Sequence, residues 1–126
     1  SIEEMYNVLQ DLPRHKCPGI DGLTPEYFLK YWDLIKDELC QASNLAFDSD
    51  HLPETRGVGL IFLIPKGDQA SKDIRKWRPI TILNTVYKIL AKVISLRLQP
   101  MLTNCIHSSQ TGFLQEKSIL DNITTF

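Results

Sequence analysis

The sequence predicts an α+β fold in which N-terminal helices precede a β-hairpin with a long basic loop and then a long helix. Apolar residues in the N-terminal part recur at steps of three and four, which is typical of helices that bury one face. Two apolar, β-branched runs then flank a polar loop, which indicates a pair of antiparallel strands. Helical spacing resumes after Asn84 and continues for several turns.

Two helices are predicted before the hairpin. The first covers Ser1–Leu12, and no N-terminal cap precedes it. The turn-rich segment Pro13–Glu26 follows, and its letters GIDG demand a tight turn. Thr24 then offers an N-cap, and Pro25 suits the first position of a helix over about 25–47. The apolar stripe of this second helix is expected to lie in the core: Phe28, Trp32, Ile35, Leu39, Ala42 and Ala46.

The strands of the hairpin are predicted from two apolar runs. Val58–Ile64 is a continuous apolar run, and it predicts a buried strand after a turn that begins at Asp48. The second strand covers residues 79–83. Pro79 suits the first position of a strand or an edge, because proline has no N–H to give to a ladder. The bond to Pro79 also holds Arg78 in an extended conformation.

Two cations stand at the same end of this predicted hairpin. Lys66 comes soon after the first strand and Arg78 directly before the second, so antiparallel pairing places them across from one another. Together they could bind a phosphate chain, since arginine supplies a planar fork and lysine a flexible point charge. The alternative is structural, in which Arg78 closes an ion pair with an acid such as Asp73.

Composition limits the class of protein. The 126 residues are 43% hydrophobic, which is enough for one domain with a real core. No apolar run approaches the roughly eighteen residues that a membrane span needs. The odd number of cysteines and the lack of metal or redox spacing favour a reduced intracellular compartment. His15 and Cys17 could form half of a zinc site, but no second half lies nearby, and unliganded residues are expected. The cysteines are Cys17, Cys40 and Cys105.

The net charge of −1 hides an uneven distribution. Residues 1–55 carry eleven acidic and four basic side chains, whereas residues 56–97 carry nine basic and two acidic ones. This separation favours a basic surface for an anion or a polyanion, and the alternative is that the two halves pair with each other.

A long helix is predicted after the hairpin. Thr85 could cap a helix that runs to about Leu102, with Ile89, Val93 and Leu96 facing inward. Lys88 and Lys92, four residues apart, share the other face of this helix. The letters QTGFLQEKSILDNITTF then indicate the beginning of another helix, and the pattern stops before it is complete. The chain is therefore predicted to be a fragment of a longer protein.

Four blocks, in this order, resemble the fingers region of reverse transcriptases from LINE-type, non-LTR retrotransposons. Reverse transcriptases of group II introns share a weaker version of the pattern. The blocks are CPGIDGLTPEYF (Cys17–Phe28), LIPK (Leu63–Lys66), WRPITILNTVYKILAKVISLRL (Trp77–Leu98) and QTGF followed by SILDNI.

The resemblance covers nearly the whole chain and implies part of a right-hand polymerase fold. Residues 1–52 would form an N-terminal helical block, 53–84 the fingers hairpin, and 85–126 a helix and the start of the palm. The catalytic core of the palm and the thumb would be absent. The chain departs from the family after QTGF, where Glu116 replaces a usual glycine and Lys117 a usual arginine.

The function implied by the resemblance is RNA-directed DNA polymerisation with Mg²⁺, an RNA template, a DNA primer and deoxynucleoside triphosphates. Lys66 and Arg78 match the family's triphosphate-binding residues. Lys88 and Lys92 would face nucleic acid or form a solvated face. The remaining positions implied in template binding are Gln110, Gly112, Phe113 and Lys117.

The catalytic aspartates of the family lie downstream, and Asp121 precedes the first of them. The sequence therefore predicts no catalytic residue and no metal ligand in this chain, which alone should be inactive without the palm and thumb of the polymerase. The family implies an intracellular protein of the nucleus or cytoplasm. The alternative is an inactive relic that acts at most as a nucleic-acid-binding module.

Overall fold

The structure is a computed structural model that describes residues 1–49, 57–67 and 72–105. It has helices and a two-stranded antiparallel sheet, so the predicted α+β class is confirmed. The chain divides into two compact units, Ser1–Leu90 and Ala91–Phe126. Several predicted features lie outside the described residues: the helix after QTGF and the positions Gln110, Gly112, Phe113, Lys117 and Asp121.

The first helix, α1, covers Ile2–Asp11, close to the predicted bounds. The prediction of an uncapped start is wrong, because Ser1 and Glu4 form a capping box. The hydroxyl of Ser1 accepts the backbone N–H of Glu4 at 3.3 Å. Met5, Val8 and Leu9 are buried, so α1 presents one apolar face to the core.

The predicted helix over 25–47 is two helices, α2 (Pro25–Lys30) and α3 (Trp32–Asp48). The backbone of Tyr31 between them leaves the helical region, with φ −105° and ψ 16°. No glycine or proline marks this break in the sequence. Both helices contact α1, so packing around α1 accompanies the break.

The core of the first unit uses much of the predicted stripe. Phe28, Trp32 and Leu39 are buried, whereas Ile35, Ala42 and Ala46 are half-buried. The rings of Trp32 and Tyr6 lie 5.3 Å apart between centroids, which joins α3 to α1. Aromatic pairs at this distance add stabilisation beyond the area that they bury. The interpretation of the stripe as core, rather than a cofactor site, is consistent with this packing.

The two strands are β1 (Gly59–Pro65) and β2 (Trp77–Leu83), paired antiparallel as predicted. The strands are not buried, which corrects the prediction from the apolar run. Ile61 is 68% exposed and Phe62 51% exposed. Because the sheet has only two strands, each face is covered only where another element packs on it, and no third strand pairs with it among the described residues.

The long helix, α4, covers Thr85–Cys105 and extends three residues beyond the predicted end. The carbonyl of Asn84 accepts the N–H of Lys88 at 3.1 Å, so Asn84 stands at the N-cap position and the assignment of Thr85 as the cap is wrong. Ile89 and Val93 are buried as predicted, but Leu96 is exposed. Within the described ranges, no helix is long and apolar enough to span a membrane.

Candidate nucleotide-binding site on the hairpin

The register of the hairpin explains how it accommodates its prolines. Lys66 donates its backbone N–H to the carbonyl of Lys76 at 2.8 Å, and Ile64 lies opposite Arg78 in the same register. Hydrogen-bonded pairs alternate with non-hydrogen-bonded pairs in an antiparallel ladder. Pro79 and Pro65 therefore fall at non-hydrogen-bonded positions, where the missing N–H costs no ladder bond.

Three basic residues lie near the loop end of the hairpin: Lys66, Lys76 and Arg78. Side chains alternate between the faces of a strand and directly opposed residues share a face, so Arg78 lies on the face of Ile64. One step beyond the paired residues, the backbones of Lys66 and Lys76 are hydrogen-bonded, so these two residues lie opposite one another at the loop end. Lys66 and Arg78 are then diagonal neighbours, about 7–8 Å apart at the backbone. Lys66 and Arg78 lie at the same end of the hairpin, as predicted, but the prediction that they lie across from one another is wrong. Arg78 lies opposite Ile64, and Lys66 lies opposite Lys76, which was not identified from the sequence.

The lysine ammonium of the candidate site already has a partner in this structure. Lys66 Nζ donates to the backbone carbonyl of Arg75 at 2.7 Å, and Arg75 lies in a 3₁₀ turn, Ile74–Lys76, that precedes β2. Lys66 is exposed, and an exposed contact to a carbonyl is readily exchanged for water or an anion. The ammonium thus stands at the loop end of the hairpin.

Asp73 pairs with Arg75, not with Arg78. The guanidinium of Arg75 binds the Asp73 carboxylate with both Nε and Nη2 at 3.1 Å, and its backbone N–H donates to the same group. These bonds, the side-chain ones first, lower the pKa of Asp73. The alternative in which Arg78 closes on Asp73 is therefore wrong.

Arg78 is exposed on β2 and extended, as the following proline predicts. Among the described carboxylates, none lies within ion-pair distance of its guanidinium. Its neighbour across the ladder is the apolar Ile64. A guanidinium with five donors and no acidic partner in the described part of the chain can accept an anionic ligand.

A turn far away in sequence packs against the junction between β2 and α4. Gly19 is buried, and a Cβ built on it would lie 2.7 Å from the backbone N and Cα of Asn84. Thr85, 1% exposed, donates its hydroxyl to the carbonyl of Leu23 at 2.7 Å. The turn was predictable from the sequence but its partner was not, since a contact over 62 residues leaves no local signal.

The other end of this turn-rich segment is also fixed. Glu26 accepts the backbone N–H of His15 at 2.8 Å, and His15 has a φ of 55°. The N–H of His15, then that of Glu26 itself and the Thr24 hydroxyl, lower the pKa of Glu26 to about 2. Thr24 stands at the predicted N-cap of α2, although its side chain makes no capping bond to the helix.

The helix lysines predicted to meet nucleic acid lie four residues apart on α4. Lys88 is half-buried and Lys92 is exposed. Their role stays a prediction, as do the roles of Gln110, Gly112, Phe113 and Lys117 outside the described residues. In the part of the chain that the structure describes, no group of three or more His, Cys, Asp or Glu could hold a metal ion.

Comparison with known proteins identifies the family of this chain. Residues 64–125 match the family described as reverse transcriptase (RNA-dependent DNA polymerase), and this range includes both Lys66 and Arg78. The chain is 37% identical to the transposon TX1 uncharacterized 149 kDa protein of Xenopus laevis over 98% of its length and 9% of that protein. It is 28% identical to the RNA-directed DNA polymerase from mobile element jockey of Drosophila melanogaster, over 90% of this chain and 13% of that protein.

A third relative is the probable RNA-directed DNA polymerase from transposon BS of Drosophila melanogaster, 24% identical over 97% of this chain and 14% of that protein. The chain therefore belongs to the reverse transcriptases. Within them it is a segment of the LINE-type, non-LTR retrotransposon branch, to which the resemblance pointed. It spans only 9% to 14% of the length of these relatives.

Proposed function

We propose that this chain is the fingers part of a right-hand RNA-directed DNA polymerase and binds the triphosphate of the incoming deoxynucleotide. The observation that carries the proposal is the loop end of the hairpin, where Lys66 lies opposite Lys76 and Arg78 follows two residues along the chain. Arg78 has no acidic partner among the described residues. Diagonal neighbours on a hairpin are close enough for one triphosphate to touch both.

Each cation has a distinct task in this proposal. Arg78 offers its planar fork to two phosphate oxygens. Lys66 exchanges the Arg75 carbonyl for a phosphate oxygen when the nucleotide binds, a gain because ionic hydrogen bonds are stronger than neutral ones. Phosphoryl transfer depends on positioning and charge neutralisation, which these side chains supply from one side of the nucleotide.

The remaining partners of the proposal come from the full-length protein. The RNA template and DNA primer would lie along the basic part of the chain, with Lys88 and Lys92 of α4 facing their backbone. The catalytic aspartates, with the Mg²⁺ that they hold, would belong to a palm beyond this segment.

Primer extension tests the proposal against the relic alternative. The full-length protein, supplied with an RNA template, a DNA primer, deoxynucleoside triphosphates and Mg²⁺, should extend the primer. The 126-residue chain alone should not extend it, because the catalytic aspartates would lie elsewhere. A full-length protein that binds the template–primer without extending it would favour the relic, and extension by the short chain would overturn the proposed division of labour.

A further inference from the structure

Two local hydrogen bonds stabilise the turn Gly19–Leu23. Gly22 adopts a φ of 71° and donates its N–H to the carbonyl of Gly19 at 3.1 Å. The carboxylate of Asp21 accepts the N–H of Leu23 at 3.0 Å. These local bonds stabilise the turn as far as the backbone N–H of Leu23.

This turn makes two independent contacts with the β2–α4 junction. Gly19 lies so close to the backbone of Asn84 that no larger residue fits without moving the junction. The carbonyl of Leu23 accepts the hydroxyl of Thr85, and both Asn84 and Thr85 are buried. The contact is therefore steric at one residue and hydrogen-bonded at the next, which fixes both position and rotation.

The orientation of the β2–α4 junction affects the position of Arg78, because β2 connects Arg78 directly to Asn84. Six extended residues span roughly 20 Å. A tilt of about 5° at the junction would therefore displace the Arg78 end by roughly 1.7 Å over a strand of that length. Displacements of about 1 Å can cost about 100-fold in rate when a group must meet a reacting substrate.

We propose that Gly19 and Thr85 are positioning residues, and that the turn Gly19–Leu23 braces the β2–α4 junction so that Arg78 meets the nucleotide triphosphate. The proposal rests on the function proposed above for Arg78. Neither Gly19 nor Thr85 touches the nucleotide. Each acts through the orientation of the hairpin.

The test is a double-mutant cycle in the full-length polymerase, with nucleotide KM, kcat and template–primer Kd measured for each variant. Gly19→Ala introduces the clash with Asn84, and Gly57→Ala is the matched control, because a Cβ at Gly57 meets nothing within 4 Å. Thr85→Val removes only the hydroxyl that binds Leu23. Each substitution is made with Arg78 intact and again in the Arg78→Ala background.

With Arg78 intact, Gly19→Ala should raise the nucleotide KM about tenfold and Thr85→Val roughly two- to fivefold, with template–primer Kd unchanged. In the Arg78→Ala background, each should change KM less than about twofold, since the group that they position is gone. Gly57→Ala should have no effect in either background. If Gly19→Ala does not yield folded protein, the Thr85→Val cycle decides.

Two results would overturn the brace. One is an unchanged nucleotide KM in the Gly19 and Thr85 variants. The other is a nucleotide KM that these substitutions raise by the same factor with and without Arg78, which would indicate general damage to the protein. In both, a large effect of Arg78→Ala alone would leave the proposed function standing. If Arg78→Ala alone leaves KM unchanged, the proposed function has failed and the brace fails with it.

Discussion

Replacing Arg78 with alanine in the full-length protein should impair nucleotide use and leave the fold intact. In this structure the guanidinium is exposed and meets no described carboxylate, so its removal breaks no ion pair among these residues. Surface substitutions of this kind change the free energy of unfolding by less than about 0.5 kcal/mol. A change in activity would therefore report on binding rather than on stability.

The expected loss follows from the kind of contact. A hydrogen bond to a charged group contributes roughly 1.5–3 kcal/mol. If the transition state loses this contribution, kcat/KM for the nucleotide should fall by one to two orders of magnitude, since each tenfold change corresponds to about 1.4 kcal/mol. Arg78→Lys should recover only part of the loss, because an ammonium keeps the charge without the planar fork.

The assay is steady-state incorporation at varied nucleotide and at varied template–primer, together with urea unfolding of each variant. Arg14→Ala is the matched control, since the guanidinium of Arg14 binds only the carbonyl of Gln10 among the described contacts. Arg14→Ala should leave kcat/KM for the nucleotide unchanged. If Arg78→Ala leaves kcat/KM for the nucleotide unchanged while the protein unfolds at a lower urea concentration, Arg78 has a structural role and does not bind the nucleotide.

Three further outcomes are expected. Lys88→Ala should weaken binding to the template–primer duplex and reduce the slope of affinity against salt by about one, with little change in nucleotide KM; an unchanged slope would mean that Lys88 meets no phosphate. The 126-residue chain should bind an apolar dye at the hairpin, and the double substitution Ile61→Thr with Phe62→Thr should reduce the signal; equal signals would place the dye elsewhere. Because the pKa of Glu26 in the fold, about 2, lies below its ordinary 4.5, its contribution to stability is present above 4.5 and is lost as pH falls toward 2. The protection factor of the His15 amide in hydrogen exchange should fall over that range, and Glu26→Gln should remove this pH dependence.

Local patterns were sufficient to predict most elements of this fold. Helical spacing gave α1 and α4, and two β-branched runs gave the hairpin with its cations at one end. The break at Tyr31 was not predictable in this way, because it has no local breaker and accompanies packing on α1. The burial of β1 was predicted wrongly, since an apolar run indicates what a strand could bury but not whether anything covers it.

The candidate site likewise has features that local sequence patterns predict and features that they do not. The positions of Lys66 and Arg78 followed from strand order, because antiparallel pairing alone brings them together. The pairing of Asp73 with Arg75 did not follow, as several basic residues of the loop compete for one carboxylate. The contacts of Gly19 with Asn84 and of Leu23 with Thr85 join distant parts of the chain, and only the folded structure reveals them.

The prolines of the hairpin also limit how this protein can associate with itself. At non-hydrogen-bonded positions, backbone amides point away from the partner strand and toward any third strand that approaches. Pro79 removes such a donor from the outer edge of β2, and Pro65 removes one from that of β1. An apolar ribbon with open edges would otherwise be a template for intermolecular sheet growth. Both edges are thus interrupted, so the hairpin can keep its apolar faces accessible to other parts of the full-length protein with less risk of forming aggregates during synthesis.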